Sequence, residues 1–416
     1  MIHDPIIITN DSDLAYVANS GTGTAIDPFI ISGWNITGSP THGISIIGTT
    51  KYFKIEKCWI GNSDVEGIFV DSVTPGTTSI INNICSNNHD TGIRLDNCSF
   101  SIVANNICSN NHDIGIRLDN CSFSIVTNNT CKYTRYGDIE LHSSGSSTVA
   151  NNTCTSSYYG ILIHESSSST VVNNTCTSNG VGIRLLSSGS STVANNTCHD
   201  NAEVGIYFWH SGSSIVTNNT CSNNHDGISL NDCFSSTVVD NTFYNNGLKF
   251  EESSKEKLIS CRVEDNTVND LPLGYFVSIT DRTISETYGQ LILVNCNNTI
   301  VKNQYCSDTS TGIALYYCDK NQLVNNTCLN NTEAGVSLYE CVSITVTINT
   351  CTSNGYGIEL HSSGSSTVAN NNCTNNIGVG INFWHSGSSI VTNNTCSNNH
   401  DGIRLDNCSF STVTNN

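Results

Sequence analysis

Short pieces in which apolar and polar residues alternate recur along the whole chain. In the sequence GIRLD at residues 92–96, Ile93 and Leu95 share one face while the charged residues share the other, as in a half-buried strand. Residues 148–150 and the residues around Cys154 form similar pieces. No apolar stripe with a period of about 3.6 residues accompanies them, so the pattern predicts short strands and not helices.

These pieces repeat with a period of 22 to 23 residues. The sequence SNNHDTGIRLDNCSFSIV at residues 86–103 returns at residues 109–126 with one change. A cysteine series keeps the same step at Cys85, Cys108, Cys131, Cys154, Cys176, Cys198 and Cys221, and again at Cys306, Cys328, Cys351, Cys373 and Cys396. A glycine series runs beside it through Gly92, Gly115, Gly137 and Gly160. Three short strands per repeat predict one coil of a parallel β-helix, an all-β solenoid.

Charge and composition exclude several functions. The 416 residues include 35 acidic and 16 basic ones, for a formal charge of −19. Nucleic acids and anionic membrane surfaces are therefore not expected partners, because both require clustered Lys and Arg. No apolar run is long enough for membrane insertion, and the N-terminus lacks the features of a signal peptide. The last residues stop in the middle of a repeat, so we expect the C-terminal end to be truncated.

The 21 cysteines and the paired asparagines predict stacked ladders. CxxC pairs of a metal site are lacking, and in-register parallel strands suit disulfide geometry poorly. We therefore expect the cysteines to act as small buried apolar residues, with scattered disulfides or metal binding as alternatives. Pairs such as Asn128 and Asn129 favour a left-handed bend and an asparagine ladder at one turn. They also create N-x-S/T sequons, which leave glycosylation open.

The repeat resembles a known family. The motif NNTC-x-(S/N)-N-x-x-GI-x-L followed by S-S-T-V-x-N-N covers most of residues 79–246 and 300–416. It is similar to the right-handed parallel β-helix repeats of the NosD-like or CASH (carbohydrate-binding and sugar hydrolase) group of archaeal and bacterial surface proteins. Residues 24–60 resemble the opening segment of such domains, and residues 269–296 resemble a widened coil. The resemblance implies a right-handed, single-stranded β-helix, but its members include lyases, hydrolases, copper-maturation factors and surface modules.

The chain is accordingly divided into four parts. We predict an N-terminal cap and first coil at residues 1–60 and regular coils at residues 61–246. An irregular or widened coil with an insertion follows at residues 247–299, and regular coils resume at residues 300–416.

The irregular segment carries the first set of candidate site residues. Insertions in solenoids often form the binding surface, and Tyr275 with Arg282 would suit a sugar. Glycoside cleavage needs paired carboxylates, for which Asp270, Asp281 and Glu286 are the weak catalytic candidates. The alternative is a structural bulge that covers one side of the core.

Other candidates lie on the regular coils. Trp209 and Trp384 occupy nearly identical coils, and alternation places them outward, where an indole can stack on a sugar ring. His142 and His164 lie one coil apart and could bind Cu or Zn. Stacked aspartates such as Asp96 and Asp119 could bind Ca²⁺, although adjacent arginines argue against it. For each pair the alternative is ordinary surface residues, and the expected cofactor is none, with Ca or Cu possible.

Most coils are near copies of one another, which indicates selection for stable stacking of the coils. An active site would instead require non-repeated side chains that converge from neighbouring coils. The leading hypothesis is a non-catalytic extracellular β-solenoid that serves as a cell-surface stalk, adhesin or carbohydrate-binding rod. A polysaccharide lyase or glycoside hydrolase with its site in the irregular coil is one alternative, and a NosD-like copper-handling protein is another. The expected partner is a polysaccharide or cell-surface glycan, and open coil ends also predict end-to-end or lateral self-association.

Overall fold

The computed structural model describes residues 2–251 and 253–416. The chain divides into two compact units, residues 1–219 and 220–416. Both are built from coils of three short strands, each paired in parallel with the corresponding strand of the next coil. The predicted all-β solenoid is therefore confirmed. Two short helices, Asp11–Val17 and Lys255–Ser260, interrupt the strands.

Three parallel sheets make up the first unit. The first sheet contains Ile6–Ile8, Ile44–Ile47, Ile68–Asp71, Thr91–Asp96, Ile114–Asp119, Gly137–His142, Tyr159–His164, Val181–Leu186 and Val204–Trp209. The second sheet contains Phe29–Ser32, Phe53–Glu56, Thr78–Ile81, Ile102–Ala104, Ile125–Thr127, Thr148–Ala150, Thr170–Val172, Thr192–Ala194 and Ile215–Thr217. The third sheet contains Asn35–Thr37, Trp59–Gly61, Ile84–Ser86, Ile107–Ser109, Thr130–Lys132, Thr153–Thr155, Thr175–Thr177 and Thr197–His199.

Identical residues stack from coil to coil. Leu95 pairs with Leu118, and Cys108 pairs with Cys131. All four side chains are fully buried. Each coil thus adds a few apolar side chains to a continuous core, and this is how a chain with 37% hydrophobic residues fills its interior.

The cysteines form two ladders with different roles. Nineteen of the 21 are buried, and burial raises the pKa of the Cys306 thiol well above its usual value. Cys85, Cys108 and Cys131 remain thiols inside the core. A second cysteine series includes Cys98 and Cys121, which lie one coil apart, and the sulfur of Cys121 accepts the backbone N–H of Cys98 at 3.2 Å. Serines continue that turn ladder in the following coils.

The two members of each asparagine pair have different positions, the first at the surface and the second in the core. Asn128 has a left-handed backbone, with φ of 55°, and its side chain is exposed. Asn129 is buried, and its backbone N–H and Nδ2 both donate to Oδ1 of Asn152, at 2.9 and 3.0 Å. The predicted asparagine ladder is therefore formed by the second member of each pair, and the first member carries the sequon at the surface.

The predicted glycine series is wrong at one position. Ile114 pairs with Gly137 and Ile116 pairs with Ile139. Asp138, not Gly137, therefore stands opposite Gly115. The step between these two strands is therefore 23 residues, one more than the step from Gly115 to Gly137 implies.

The second unit begins with regular coils and then changes direction. The first coils supply Asp226–Asn231 paired with Leu248–Glu251, Thr237–Val239 paired with Arg262–Glu264, and Thr220–Ser222, Thr242–Tyr244 and Thr267–Val268 in series. Strand Leu271–Val277 then pairs antiparallel with Thr267–Val268 and parallel with Gln290–Val294. This reversal starts a second stack of coils.

The second stack again has three parallel sheets. Its first sheet continues from Leu271–Val277 and Gln290–Val294 through Thr311–Tyr316, Ala334–Tyr339, Tyr356–His361, Val379–Trp384 and Asp401–Asp406. Its second sheet contains Thr283–Ile284, Ile300–Lys302, Gln322–Val324, Thr345–Thr347, Thr367–Ala369, Ile390–Thr392 and Thr412–Thr414. Its third sheet contains Tyr305–Ser307, Thr327–Leu329, Thr350–Thr352, Asn372–Thr374 and Thr395–Ser397. Among the described residues, neither helix is long and apolar enough to cross a bilayer.

Candidate functional site

A groove of about 720 Å³ lies on the second unit. One wall is formed by residues 249–251, 253 and 254, at the end of the first stack. The floor is the outward face of the first sheet of the second stack. Its lining residues are Lys249, Phe250, Glu251, Ser253, Ser254, Thr311, Tyr316, Tyr317, Glu333, Ala334, Ser337, Tyr339, Glu359, His361, Ser362, Trp384 and His385.

A buried glutamine holds the wall against the floor. The side-chain Oε1 of Gln290 accepts the backbone N–H of Leu248 at 2.9 Å, and its Nε2 donates to the carbonyls of Leu248 and Thr311 at 2.8 and 3.0 Å. Gln290 is fully buried. One amide therefore satisfies backbone groups from both stacks, which would otherwise be costly to bury.

Two tyrosine hydroxyls fasten the same wall farther along. Tyr316 donates to the carbonyl of Phe250 and Tyr317 to that of Ser253, both at 3.0 Å. Burial raises the pKa of Tyr317 to about 12 and raises that of Tyr316 further. Both phenols therefore remain neutral hydrogen-bond donors.

The floor of the groove is an aromatic strip that crosses four coils. Tyr316, Tyr339, His361 and Trp384 occupy the same register position in successive strands. Their neighbouring ring centroids are 6.2, 6.4 and 4.8 Å apart. The residue before each of them points into the core, so strand alternation turns all four rings outward.

Polar groups flank the strip. Oε1 of Glu359 lies 3.0 Å from Nε2 of His361 and accepts from Nδ2 of Asn382 at 3.1 Å. Arg404 donates to Asp406 at 2.9 Å beside the same coils. An apolar strip edged by hydrogen-bonding side chains suits a ligand with both apolar faces and polar edges.

A charged cluster lies where Lys249 of the wall meets Glu333 of the floor. Nζ of Lys249 lies 3.1 Å from a carboxylate oxygen of Asp226 and 2.6 Å from one of Glu333. Burial acts to lower the pKa of Lys249, but the two carboxylates outweigh it and raise the pKa above its usual value. Burial acts to raise the pKa of Asp226, but His225 and Lys249 hold it below its usual value. Asp226 therefore stays ionised and paired.

The two candidate tryptophans have different surroundings. Both point outward as predicted, with Trp209 37% and Trp384 47% exposed. Trp384 forms part of the groove floor. Trp209 belongs to the first unit, where the guanidinium carbon of Arg184 lies 5.5 Å from its ring centroid. A cation thus covers the ring of Trp209, while Trp384 joins a continuous strip.

The other predicted sugar ligands lie outside the groove lining. The hydroxyl of Tyr275 donates to the carbonyl of Leu258 at 2.8 Å, and its ring packs beside Phe250. The guanidinium carbon of Arg282 lies 5.1 Å from the ring centroid of Phe276. The structure does not bring Tyr275 and Arg282 together with Trp384.

The candidate catalytic carboxylates are bound to separate partners. Asp270 accepts from the hydroxyl of Tyr244 at 3.0 Å, and Asp281 accepts from Nδ2 of Asn298. Glu286 accepts the backbone N–H of Ser285 and is exposed. None of these three belongs to the groove lining.

The candidate metal ligands His142 and His164 do lie together. They stand opposite each other in adjacent strands, and their ring centroids are 4.9 Å apart. The candidate calcium carboxylates Asp96 and Asp119 are occupied by a guanidinium. Nη2 of Arg94 lies 3.0 Å from Asp96 and 3.6 Å from Asp119.

Sequence analysis missed most of the groove floor. Tyr316, Tyr339 and His361 precede Trp384 at steps of 23, 22 and 23 residues. Alignment of the coils on the Trp384 position would have shown the aromatic strip. The wall carries no such signal, because it comes from the irregular segment.

Solved structures that are similar to this chain at low sequence identity include a glucanase, a DFA-IIIase and a tailspike protein. One is the catalytic domain of a GH87 α-1,3-glucanase in complex with tetrasaccharides, with 13% identity, 93% of this chain and 63% of that chain covered, and a TM-score of 0.41. DFA-IIIase from Arthrobacter chlorophenolicus A6 has 11% identity, coverages of 81% and 88%, and a TM-score of 0.39. The Dettilon tailspike protein has 13% identity, coverages of 74% and 62%, and a TM-score of 0.37. Similarity of this degree carries no argument about activity. No curated protein matches the sequence.

Residues 248–416 match the family of the periplasmic copper-binding protein NosD. The histidines of this segment are His361, His385 and His400, and the segment has no methionine. His361 faces Glu359, and Nδ1 of His400 lies 3.6 Å from Asp401. Among the described residues of the segment, no three histidine, cysteine or acidic side chains converge as metal ligands. The residues present therefore do not fit a resident copper ion.

The description "right handed beta helix region" matches residues 14–176 and 138–274. These matches extend over more than half of the chain, and they agree with the parallel pairing and buried ladders of the first unit. The chain therefore belongs to the right-handed β-helix family and is NosD-like in its C-terminal coils.

Proposed function

We propose that this protein is a non-catalytic carbohydrate-binding β-solenoid that holds a glycan chain along the groove of its second unit. The observation that carries the proposal is the outward strip of Tyr316, Tyr339, His361 and Trp384, which repeats an aromatic ring once per coil. Aromatic faces offer large apolar contact areas with polar tips. A linear polymer of sugars, which repeats an apolar ring face with hydroxyl edges, matches such a strip.

The flanking groups favour a sugar over a purely apolar ligand. Glu359, Asn382 and Arg404 present carboxylate, amide and guanidinium groups beside the strip, and Ser337 and Glu251 line the groove. Hydroxyl groups of a glycan can donate to the carboxylates and accept from the amide and guanidinium. A purely apolar ligand would remove the water around these groups and offer them no hydrogen bonds.

The state of the groove carboxylates favours binding over cleavage. Glycoside hydrolysis needs a protonated acid and a second carboxylate that act on one bond. Glu333 lies 2.6 Å from the ammonium of Lys249, and Glu359 lies 3.0 Å from His361. Each groove carboxylate is thus engaged by its own cationic or hydrogen-bonding partner.

The proposal is tested by binding to a panel of neutral and acidic polysaccharides, with product assayed in the same samples. Trp384→Ala removes the ring at the end of the strip, and we expect binding to weaken by about 1–3 kcal/mol, the scale of burying one large side chain. Trp209→Ala is the matched control, because Trp209 lies in a nearly identical coil but outside the strip. We expect it to bind as the wild type does.

Three results would overturn the proposal. New reducing or unsaturated ends that vanish in Glu333→Gln or Glu359→Gln would make the groove an active site. Equal losses in Trp384→Ala and Trp209→Ala would show that the strip is not the binding surface. Absence of binding to every polysaccharide of the panel would also overturn the carbohydrate-binding role and would favour a stalk or adhesin.

Copper handling is the second candidate, supported by the NosD match of residues 248–416. The description of that family as periplasmic also supports a location outside the cytoplasm, as the surface role requires. Copper titration of the purified chain tests this candidate. Because no three ligand side chains converge among the described residues of 248–416, we expect no tightly bound equivalent in this segment, and one found there would favour copper handling over glycan binding.

A further inference from the structure

A second cluster of functional side chains lies on the first unit and shares no residue with the glycan groove. His142 ends strand Gly137–His142, His164 ends the adjacent strand Tyr159–His164, and Glu165 follows directly. One donor atom from each of the three side chains lies within 4.8 Å of the other two. Two imidazoles and one carboxylate are a common ligand set for a transition metal.

Asp119 orients the first of these ligands. Nδ1 of His142 lies 3.1 Å from Oδ1 of Asp119, and its Nε2 lies 3.7 Å from Oε2 of Glu165. A carboxylate at Nδ1 holds the proton on that nitrogen and leaves the lone pair of Nε2 facing Glu165 and His164. Carboxylate–histidine pairs of this kind are usual behind metal-bound imidazoles.

The acidic partner of the cluster is open to solvent. The side chain of Glu165 is 57% exposed and that of His142 is 35% exposed. Glu165 also accepts from the hydroxyl of Ser143 at 3.4 Å. An ion could therefore reach all three groups from solvent and keep water as a further ligand.

The cluster of His225, Asp226 and Glu333 provides a contrast. Its donor atoms also converge, but the ammonium of Lys249 lies 3.1 and 2.6 Å from its two carboxylates. A cation of the protein itself already neutralises that site. Among the described ion pairs, Glu165 is bonded to no lysine or arginine.

The chain contains its own comparison for the His142 cluster. The sequence IELHSSGSSTVANN occurs at residues 139–152 and again at residues 358–371. In the second copy His361 corresponds to His142, but the adjacent coil supplies Trp384 in place of His164. His361 instead turns its Nε2 to Glu359 at 3.0 Å. The same coil therefore forms a two-imidazole site only in the first unit.

We propose that His142, His164 and Glu165 bind one divalent transition-metal ion, with Asp119 as the positioning residue behind His142. Zn²⁺ binds imidazole and carboxylate ligands well and prefers four ligands in a tetrahedron. Here the protein would supply three ligands and water the fourth. Ca²⁺ and Mg²⁺ prefer sites made of oxygen alone. Because its ligands come from adjacent coils, the ion would tie those coils together. The site is independent of the glycan groove, so either proposal can fail without the other.

The test uses the full chain, stripped of metal with a chelator and titrated with Zn²⁺ by calorimetry, with Ca²⁺ as the negative control. We expect one equivalent of Zn²⁺ and a rise in the midpoint of thermal unfolding. His164→Leu should abolish both effects, and it is a mild change because Leu186 occupies the next position in the same row. His112→Leu, at an exposed histidine of the first unit that pairs with Asp113, is the matched control and should bind one equivalent as the wild type does.

Asp119→Asn separates the positioning role from that of a ligand. It should retain the single equivalent of Zn²⁺ but weaken its binding roughly 10–100-fold. Circular dichroism of the metal-free variants checks that the coils remain folded. Absence of a Zn²⁺ equivalent in the wild type, or unchanged affinity in His164→Leu, would overturn the proposal.

Discussion

At residue 138 an aspartate stands in a row that is otherwise built of glycine. Thr134 and Ser157 occupy the ladder positions held by Asn111 and Asn179 in the neighbouring coils. These shorter side chains leave room for the carboxyl of Asp138, and their hydroxyls donate to its Oδ1 at 3.2 and 2.7 Å. The acid thus fills the space that asparagine amides occupy elsewhere. The sequence alone could not reveal that Asp138 replaces a glycine of this row, because the adjacent Gly137 looks like the member of the row.

The buried carboxyl of Asp138 makes stability depend on pH. Burial raises its pKa to about 8, and its Oδ2 has no hydrogen-bond partner. Between about pH 4 and pH 8 the unfolded chain has lost this proton while the folded chain keeps it, so stability falls by roughly 1 kcal/mol per pH unit. Above pH 8 the loss is complete.

Asp138→Asn should remove this dependence and raise the urea midpoint at pH 8 above that of the wild type. Asp138→Gly combined with Thr134→Asn and Ser157→Asn restores the regular ladder and should behave in the same way. Denaturation curves between pH 4 and pH 9 measure the effect. Parallel curves for Asp138→Asn and the wild type would contradict the pKa assignment.

At the scale of the element, each turn is stabilised by one buried asparagine. Oδ1 of Asn152 accepts two bonds from Asn129, while its Nδ2 donates to the carbonyl of Val126 and to Asn174, both at 3.0 Å. The period of the sequence predicted these ladders, because in-register stacking forces equal residues into contact. It did not tell which asparagine of each pair turns inward. That follows from the left-handed φ of the first member.

Asn152→Ala should destabilise the first unit by about 2–4 kcal/mol, because it leaves buried amide and carbonyl groups of two other coils without partners. Asn151→Gly is the matched control. Asn151 is exposed with φ of 58°, which glycine adopts without strain, so the change should be nearly neutral. Thermal unfolding of both variants gives the comparison, and similar losses would show that the ladder contributes little.

At the scale of the whole molecule, the regular coils provide the scaffold and the groove floor, and the irregular segment provides the groove wall. Repetition let the fold, the core and the outward rows be predicted from sequence. The groove could not be predicted, because its wall at residues 249–251, 253 and 254 meets a floor that begins at Thr311. That contact depends on the reversal at Leu271–Val277, for which the sequence has no second copy to compare.

The amide of Gln290 is the contact on which this arrangement most depends. Gln290→Leu keeps the size of the side chain but leaves three backbone groups of Leu248 and Thr311 without partners. Each such group costs about 1–3 kcal/mol when it stays buried, so the wall should detach locally and expose those groups to water. We expect faster amide hydrogen exchange at residues 248–258 and weaker glycan binding. Gln322→Leu, on an exposed position in the second sheet, should change neither. Unchanged exchange in Gln290→Leu would mean that the tyrosine contacts of Tyr316 and Tyr317 alone hold the wall, and that the groove is a property of the aromatic floor.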